Sequence, residues 1–335
     1  MKISFIHWFW LLAVTSIALF LLSLFMPSTL GGPNTGSGFL LQELFTVDAD
    51  IARIILIELR IPRACLAMLV GASLGLAGAA MQGLLRNPLA EPGVVGVSGT
   101  AALGATLTFY TGLASVAPLA LPLGGIAGAL AAVILLFIVA GKYATTATLL
   151  LAGIALNAIA GALTTLTLNL SPNPFAAMEI IFWQMGSLAD RSMQHLQLSA
   201  PLMVVGWLLI LHAAPATRGL SLGEVTANSL GVDVRATQRK VILGTALCVG
   251  AGVAVTGIIG FVGLVVPHLL RRACNNDPAQ LMWASAVGGA SLLLAADIAV
   301  RCIPTTAELK LGVVTALIGA PMFLYLIFKV RRLEQ

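Results

Sequence analysis

Charge is what this chain has least of. Only 9% of its 335 residues are Asp, Glu, Lys or Arg, 59% are hydrophobic, and the mean hydropathy is +1.01. A soluble domain carries about 25% charged residues. The scarcity is patterned: nothing charged lies between Lys2 and Glu43, and uncharged runs recur at 64–85, 92–141, 143–178, 192–217, 241–270, 278–296 and 311–328. An ionised side chain at the bilayer centre costs about 2.5–3.5 kcal/mol even on the lenient insertion scale, so such runs read as membrane spans with charges at their ends. A water-soluble domain is excluded. The net charge of +5 becomes a topology signal and gives no reason to expect nucleic acid.

Other absences narrow the class further. The four cysteines, Cys65, Cys248, Cys274 and Cys302, are widely separated and form no CxxC, which argues against a zinc site or a disulfide framework and leaves them as small apolar packing residues. No metal site is expected. There is no GxxxxGK[ST], so the chain has no P-loop for ATP. The centres of the runs are almost empty of ionisable residues, whereas an ion-coupled secondary transporter places such residues at mid-membrane. An intramembrane serine protease is suggested by Gly96-Val-Ser-Gly99, a GxSG tetrapeptide, with His268 as the base. Such tetrapeptides arise easily in a chain with 34 glycines, and His268 reads as a core-packing residue held by one hydrogen bond rather than as a proton relay. No catalytic residue is assigned.

What is present is a set of all-α spans. Hydropathy gives one in 3–26, one in 64–85, two in 92–141, and one each in 148–170, 196–213, 281–300 and 311–329. The N-terminal run is too long for a cleaved signal peptide and reads as the first span. The 30 residues of 241–270 are too long for one ~30 Å core and short for two. Lys2 places the N-terminus in the cytoplasm, and Lys329, Arg331 and Arg332 place the C-terminus there, so the count is even. Ten spans are predicted, which puts Arg86, Lys142, Arg218, Arg235, Arg239, Lys240, Arg271 and Arg272 inside. The stretch 241–270 then holds one span and a short irregular second one. Gly257, Gly260 and Gly263 give it backbone freedom, and Pro267 removes an amide donor. Irregular backbone at membrane depth is tolerated only within protein or beside a water-filled cavity, so this segment is expected to line a path.

Two polar stretches interrupt the spans. The outer one, 169–195, carries Pro172, Pro174, Glu179, Trp183, Asp190 and Arg191, with Trp183 read as an interfacial belt residue. The cytoplasmic one, 214–240, reads as short helices, with one face of 220–230 apolar and Asn228 and Gly231 near its end. A short amphipathic helix in a basic loop is a natural docking surface. At the outer ends, Arg60 and Arg63 flank Pro62, and Arg301 follows Asp297 at i,i+4. Pairing of Asp297 with Arg301 and an arginine cluster that meets acidic residues of a docking protein are both open readings. Small residues at helical spacing, Gly71, Gly75 and Gly78, or Gly124 and Gly128, predict close helix approach.

Many ordered stretches resemble the FecCD/BtuC-type permeases, the transmembrane subunits of iron-siderophore, haem and cobalamin ABC importers. The resemblance runs through Arg60-Ile-Pro-Arg63, Gly71-Ala-Ser-Leu-Gly75, Met81-Gln82, Arg86-Asn-Pro-Leu-Ala-Glu-Pro92, Leu149-Leu-Leu-Ala-Gly153, Trp183-Gln-Met-Gly-Ser187, Leu222-Gly-Glu224, Ser229-Leu-Gly231, Gly260-Phe-Val-Gly-Leu-Val-Val-Pro-His268, Ala296-Asp297 with Arg301, and from Glu308 to Gly319-Ala-Pro321.

It implies a type II ABC importer permease fold, one transmembrane domain over 1–335, set in a bacterial inner membrane with both termini cytoplasmic. The implied partners are a second permease subunit, in a homodimer, two cytoplasmic ATPase subunits that bind the ATP and Mg, and a periplasmic substrate-binding protein. The chain itself needs no cofactor and is no enzyme. Within 214–240, Leu222, Gly223, Glu224, Ala227, Ser229, Leu230 and Gly231 form the implied ATPase-coupling segment, and Thr145, Thr146 and Ala147 the cytoplasmic gate. Arg60, Arg63 and Arg301 become docking arginines, while Gly257, Gly260, Gly263 and Pro267 belong to the path. A ferric siderophore is the first expectation for the cargo, with cobalamin and haem as alternatives. The chain departs from the family pattern at Ala147, where Ser or Thr is common, and at Lys310, where Pro is common.

Overall fold

The computed structural model describes residues 5–26, 53–117, 119–141, 145–171, 173–303 and 308–333. Lys2, Glu43, Lys142 and Pro172 lie outside the described residues. Among those described, all regular structure is helical: α1 (Phe5–Phe25), α2 (Ile61–Leu85, entered through a π-helical turn Ile55–Arg60), a 3₁₀ turn (Pro92–Val95), α3 (Val97–Tyr110), the one-turn α4 (Leu113–Val116), α5 (Ala120–Ala140), α6 (Thr146–Asn169), α7 (Pro174–Gln184), α8 (Met193–Leu220), α9 (Glu224–Ser229), α10 (Val234–Thr256), α11 (Val262–Leu270), α12 (Pro278–Cys302) and α13 (Leu311–Leu333). Seven described helices are long and apolar enough to cross a membrane: α1, α2 with its π turn, α5, α6, α8, α10 and α12.

Burial ranks them. The apolar window of α2 is 83% buried, that of α1 only 11%. So α2 is the central post, and α1 is a peripheral helix whose leucines and isoleucines face outward, where lipid is as apolar as a protein interior. Close approach to α2 is made by residues without side chains. A Cβ on Gly75 would run into the Ser285 carbonyl of α12, and one on Gly78 into Gly263 of α11. The predicted glycine rows are therefore contact rows, and Gly124 and Gly128 of α5 do the same against Gly104 and Thr100 of α3. Hydroxyls supply the polar links: Ser16 of α1 lies 2.6 Å from Ser291 of α12, and the Trp207 indole donates to Ser73 at 2.8 Å.

The irregular stretch within 241–270 is where expected. α10 stops at Thr256 because Gly257 turns left-handed, φ +72°, against the Trp183 carbonyl. The loop after α7 satisfies the freed groups, with Ser187 N–H donating to Thr256 O and Ile258 N–H to Gln184 O. The second left-handed residue is Phe261 (φ +66°), not Gly260, and its N–H is held at 2.7 Å by the Glu91 carboxylate. α11 then starts, and Gly263 serves close packing, since a Cβ there would stand 2.8 Å from the Leu74 carbonyl.

Three expectations are corrected. Trp183 is no interfacial belt residue: it is buried among Ala102, Ala105 and Leu121, because α7 folds back onto α3 and α5. The short helices expected across 214–240 reduce to α9 alone, since α8 continues to Leu220 through Pro215 and α10 already begins at Val234. Cys302 is exposed, unlike the buried Cys248 and Cys274.

Candidate functional site

At the first turn of α2 and the last turn of α12 the arginines face inward. Arg63 donates to Asp297 at 2.8 and 2.9 Å and also reaches Glu308. Arg301 is 4% exposed; it pairs with Asp297 at 3.0 Å and donates to the carbonyl and hydroxyl of Ser23 on α1. Arg60 donates to the Leu24 carbonyl at 2.8 Å. Burying a guanidinium is costly unless its donors are filled, so Asp297, shared by two arginines, pins α1, α2 and α12 together. The docking reading needs a correction for Arg301: the structure gives it to the interior. Pairing of Asp297 with Arg301 is realised, and Glu308 as the second acceptor for Arg63 was not anticipated.

A cleft of about 420 Å³ opens beside the irregular segment, lined by Leu74, Glu91, Pro92, Gly93, Val94, Ser98, Gly99, Ile154, Asn157, Ile258, Ile259 and Gly260. A second, of about 450 Å³, is lined by Leu85, Asn87, Leu89, Ala90, Val94, Ala147, Leu150, Leu151 and Ile154. Val94 and Ile154 belong to both walls, so the two are stages of one mostly apolar surface that leads from Gly260 to Ala147. Of the four residues expected to line a path, only Gly260 lines this cleft surface. Gly257, Gly263 and Pro267 are buried behind it, where they shape the backbone. Sequence reading missed the main wall, the 3₁₀ turn with α6, although Arg86-Asn-Pro-Leu-Ala-Glu-Pro92 was a visible signal. Glu91 is the ionisable residue of this wall, and its carboxylate is already engaged by Phe261 N–H. His268 is not among the cleft residues around Ser98.

At the opposite end of the bundle, the turn expected as a gate and the segment expected to couple come into contact. Thr145 caps α6, its hydroxyl accepting from Thr148 N–H at 3.2 Å. The Thr146 hydroxyl donates to the Glu224 carboxylate at the start of α9 and accepts from the Gln238 amide of α10 at 3.0 Å. Gly223 (φ +106°) and Gly231 (φ +81°) bound α9 with turns that L side chains rarely adopt. Ala227 is fully buried and seats α9 on the fold, and the Ser229 hydroxyl bonds back to the Val225 carbonyl. Leu222, Val225 and Leu230 stand 63%, 81% and 63% exposed. Val225, the most exposed of the three, was not singled out from sequence. Nearby, Asp277 caps α12 through the amides of Ala279 and Gln280 and pairs with Arg218 at 2.8 Å. Burial raises the Asp277 pKa, but the Arg218 guanidinium and those amides outweigh it and hold the carboxyl below its ordinary value. Burial lowers that of Arg271, whose guanidinium reaches Gln82 at 2.5 Å.

Comparison with known proteins gives matches of long span. The model of the FecCD transport family matches residues 14–329. The chain is 44% identical over 276 residues to the vitamin B12 import system permease protein BtuC of Vibrio cholerae serotype O1, covering 81% of this chain and 82% of that one. It is 38% identical over 324 residues to the hemin transport system permease protein HmuU of Yersinia pestis, covering 93% and 95%. Among solved structures, a metal-chelate type ABC transporter in an inward-facing conformation superposes with TM-score 0.83 at 28% identity, covering 96% of this chain and 98% of that one.

Proposed function

The chain belongs to the FecCD transport family and is the permease subunit of an ABC importer of that type, and from that premise we propose that it carries a bulky metal chelate from periplasm to cytoplasm. The observation that carries the reading is the apolar surface from Gly260 to Ala147, which joins an irregular mid-membrane segment to the gate turn and has one charged side chain, itself engaged. A wall of this kind binds an uncharged or charge-spread cargo weakly, as a conduit requires: tight ionic contacts would retain it. The relatives named for vitamin B12 and hemin support the chelate class without favouring a siderophore.

The count of ten spans adds α3, α11 and α13 to the seven long helices. α3 and α11 are short because the chain enters them from the 3₁₀ turn and from the Gly257 reversal, inside the bundle. Both termini then lie in the cytoplasm. The cleft is open along α6, where Ile154, Ile159, Leu163 and Leu166 are exposed, and a second copy of the chain in a homodimer closes it.

Energy comes from two ATPase subunits whose clefts take the α9 patch of Leu222, Val225 and Leu230; ATP and Mg belong to them. A loaded binding protein docks on the outer face at Arg60 and the rim of Arg63, competing for the latter with Asp297 and Glu308, while Arg301 holds the base of the cluster. Alternating access follows if each ligand prefers one state, since equal affinity for both would shift nothing.

Reconstitution in proteoliposomes with the cognate ATPase and carrier tests this. ATP-dependent accumulation of cyanocobalamin, haemin or a ferric siderophore is the expected result, and accumulation of none of the three would overturn the cargo class.

A further inference from the structure

Among the described residues, the coupling helix and the gate are joined by the Thr146 hydroxyl. Thr146 is the first residue of α6, and its neighbour Ala147 lines the lower cleft. Its Oγ1 donates to Glu224 Oε1, 78 residues away, and accepts from Gln238 Nε2, 92 residues away. A threonine hydroxyl has one proton, so serving a carboxylate on one side and an amide on the other fixes its orientation. The three groups sit on three elements. Glu224 opens α9, Thr146 opens α6, and the buried Gln238 lies on α10, the helix that ends at the Gly257 reversal beside the upper cleft.

We infer that Glu224, Thr146 and Gln238 form a hydrogen-bonded strut through which displacement of α9 moves the start of α6, and with it the gate. The inference rests on the reading of α9 as the ATPase-coupling helix. A hydrogen bond to an ionised carboxylate is stronger than one between neutral groups, and the strut is part-buried, where water competes less well for it. It also has a defined direction. Glu224 stands in the same turn as the exposed Leu222 and Val225, so a partner that grips those residues pulls the carboxylate, and the carboxylate holds the hydroxyl of the gate's central residue. Packing alone gives no such specificity, because Thr146 and Val have nearly the same shape.

The test places a fluorophore on the gate in the assembled transporter. A bimane is attached at Ala147→Cys in a Cys302→Ser background, with the cognate ATPase bound, and the emission shift on adding ATP and vanadate is read. The unmodified strut and Thr146→Ser, which keeps the hydroxyl, give the full shift. Thr146→Val, and Gln238→Met, which keeps buried volume without the amide, reduce it about fivefold or more, the equilibrium effect of losing one hydrogen bond of ordinary net strength. ATPase binding in pull-down stays intact in all of them. A full shift in either Thr146→Val or Gln238→Met overturns the strut, as does a loss in Thr146→Ser equal to that in Thr146→Val. If one variant fails to assemble, the other decides. No shift with the strut intact, or ATPase binding unaffected by Val225→Asp, overturns the coupling reading itself.

Discussion

Asp277 does two things with one carboxylate. It accepts the amides of Ala279 and Gln280, capping α12, and it takes the Arg218 guanidinium from the end of α8. An Asn keeps the cap and drops the charge, so Asp277→Asn isolates the ion pair. The folded-state pKa lies below the ordinary 3.8, so the charged form stabilises the fold above that value, and the contribution is lost as pH falls through the lower folded value. Asp277→Asn is expected to melt below wild type at pH 7 by a small margin, as befits a largely exposed pair. That gap closes as the pH drops past 3.8 in a detergent thermal-melt series, and a gap independent of pH would remove the ion pair from the account. At this same scale the sequence was only partly legible. Arg60, Arg63 and Arg301 were found as a group from their isolation in an apolar chain. That Arg301 is interior and Arg63 is held by Glu308 depends on where α1 and the segment before α13 lie, and no local pattern records that.

Between elements, contact is governed by what is missing from glycine. At Gly75 the obstruction to a Cβ is the Ser285 backbone carbonyl, which cannot rotate away as a side chain would, so α2 and α12 would have to separate. Gly161 of α6 faces open space, with nothing within 4 Å of a Cβ. Gly75→Ala is therefore expected to lower the melting temperature of the solubilised protein, by an amount on the order of 1–3 kcal/mol in stability, as for overpacked cores. In the monomeric subunit, Gly161→Ala is expected to leave it unchanged or raise it slightly, since Ala is the better helix former. Equal effects at the two positions would mean that the close approach is not stabilising. The rows at Gly71, Gly75 and Gly78 could be read from their spacing alone. Their partners could not be, because Gly78 meets α11 while Gly71 and Gly75 meet α12.

For the whole molecule, orientation in the membrane is the property on which import depends. Cys302 is exposed at the end of α12 remote from its Asp277 cap, and Val225 is exposed on α9. A membrane-impermeant maleimide applied to right-side-out vesicles is expected to label native Cys302, whereas Val225→Cys, in a Cys302→Ser background, is expected to react only in inside-out vesicles. Labelling of Val225→Cys from outside would leave the ATPase no surface to grip.

The amino-acid sequence by itself determined that this chain lives in lipid, which stretches form its long apolar helices, and which family it resembles. The bilayer tests each run of about 20 residues one at a time, so the controlling information is local. The tertiary structure alone decided which side chains face the cleft, which arginine is interior, and that Thr146 meets Glu224 across 78 intervening residues. Those meetings are set by helix rotation and depth. Both follow from packing among all the helices together, with no hydrophobic force between spans to leave an apolar stripe in the sequence that would name each partner.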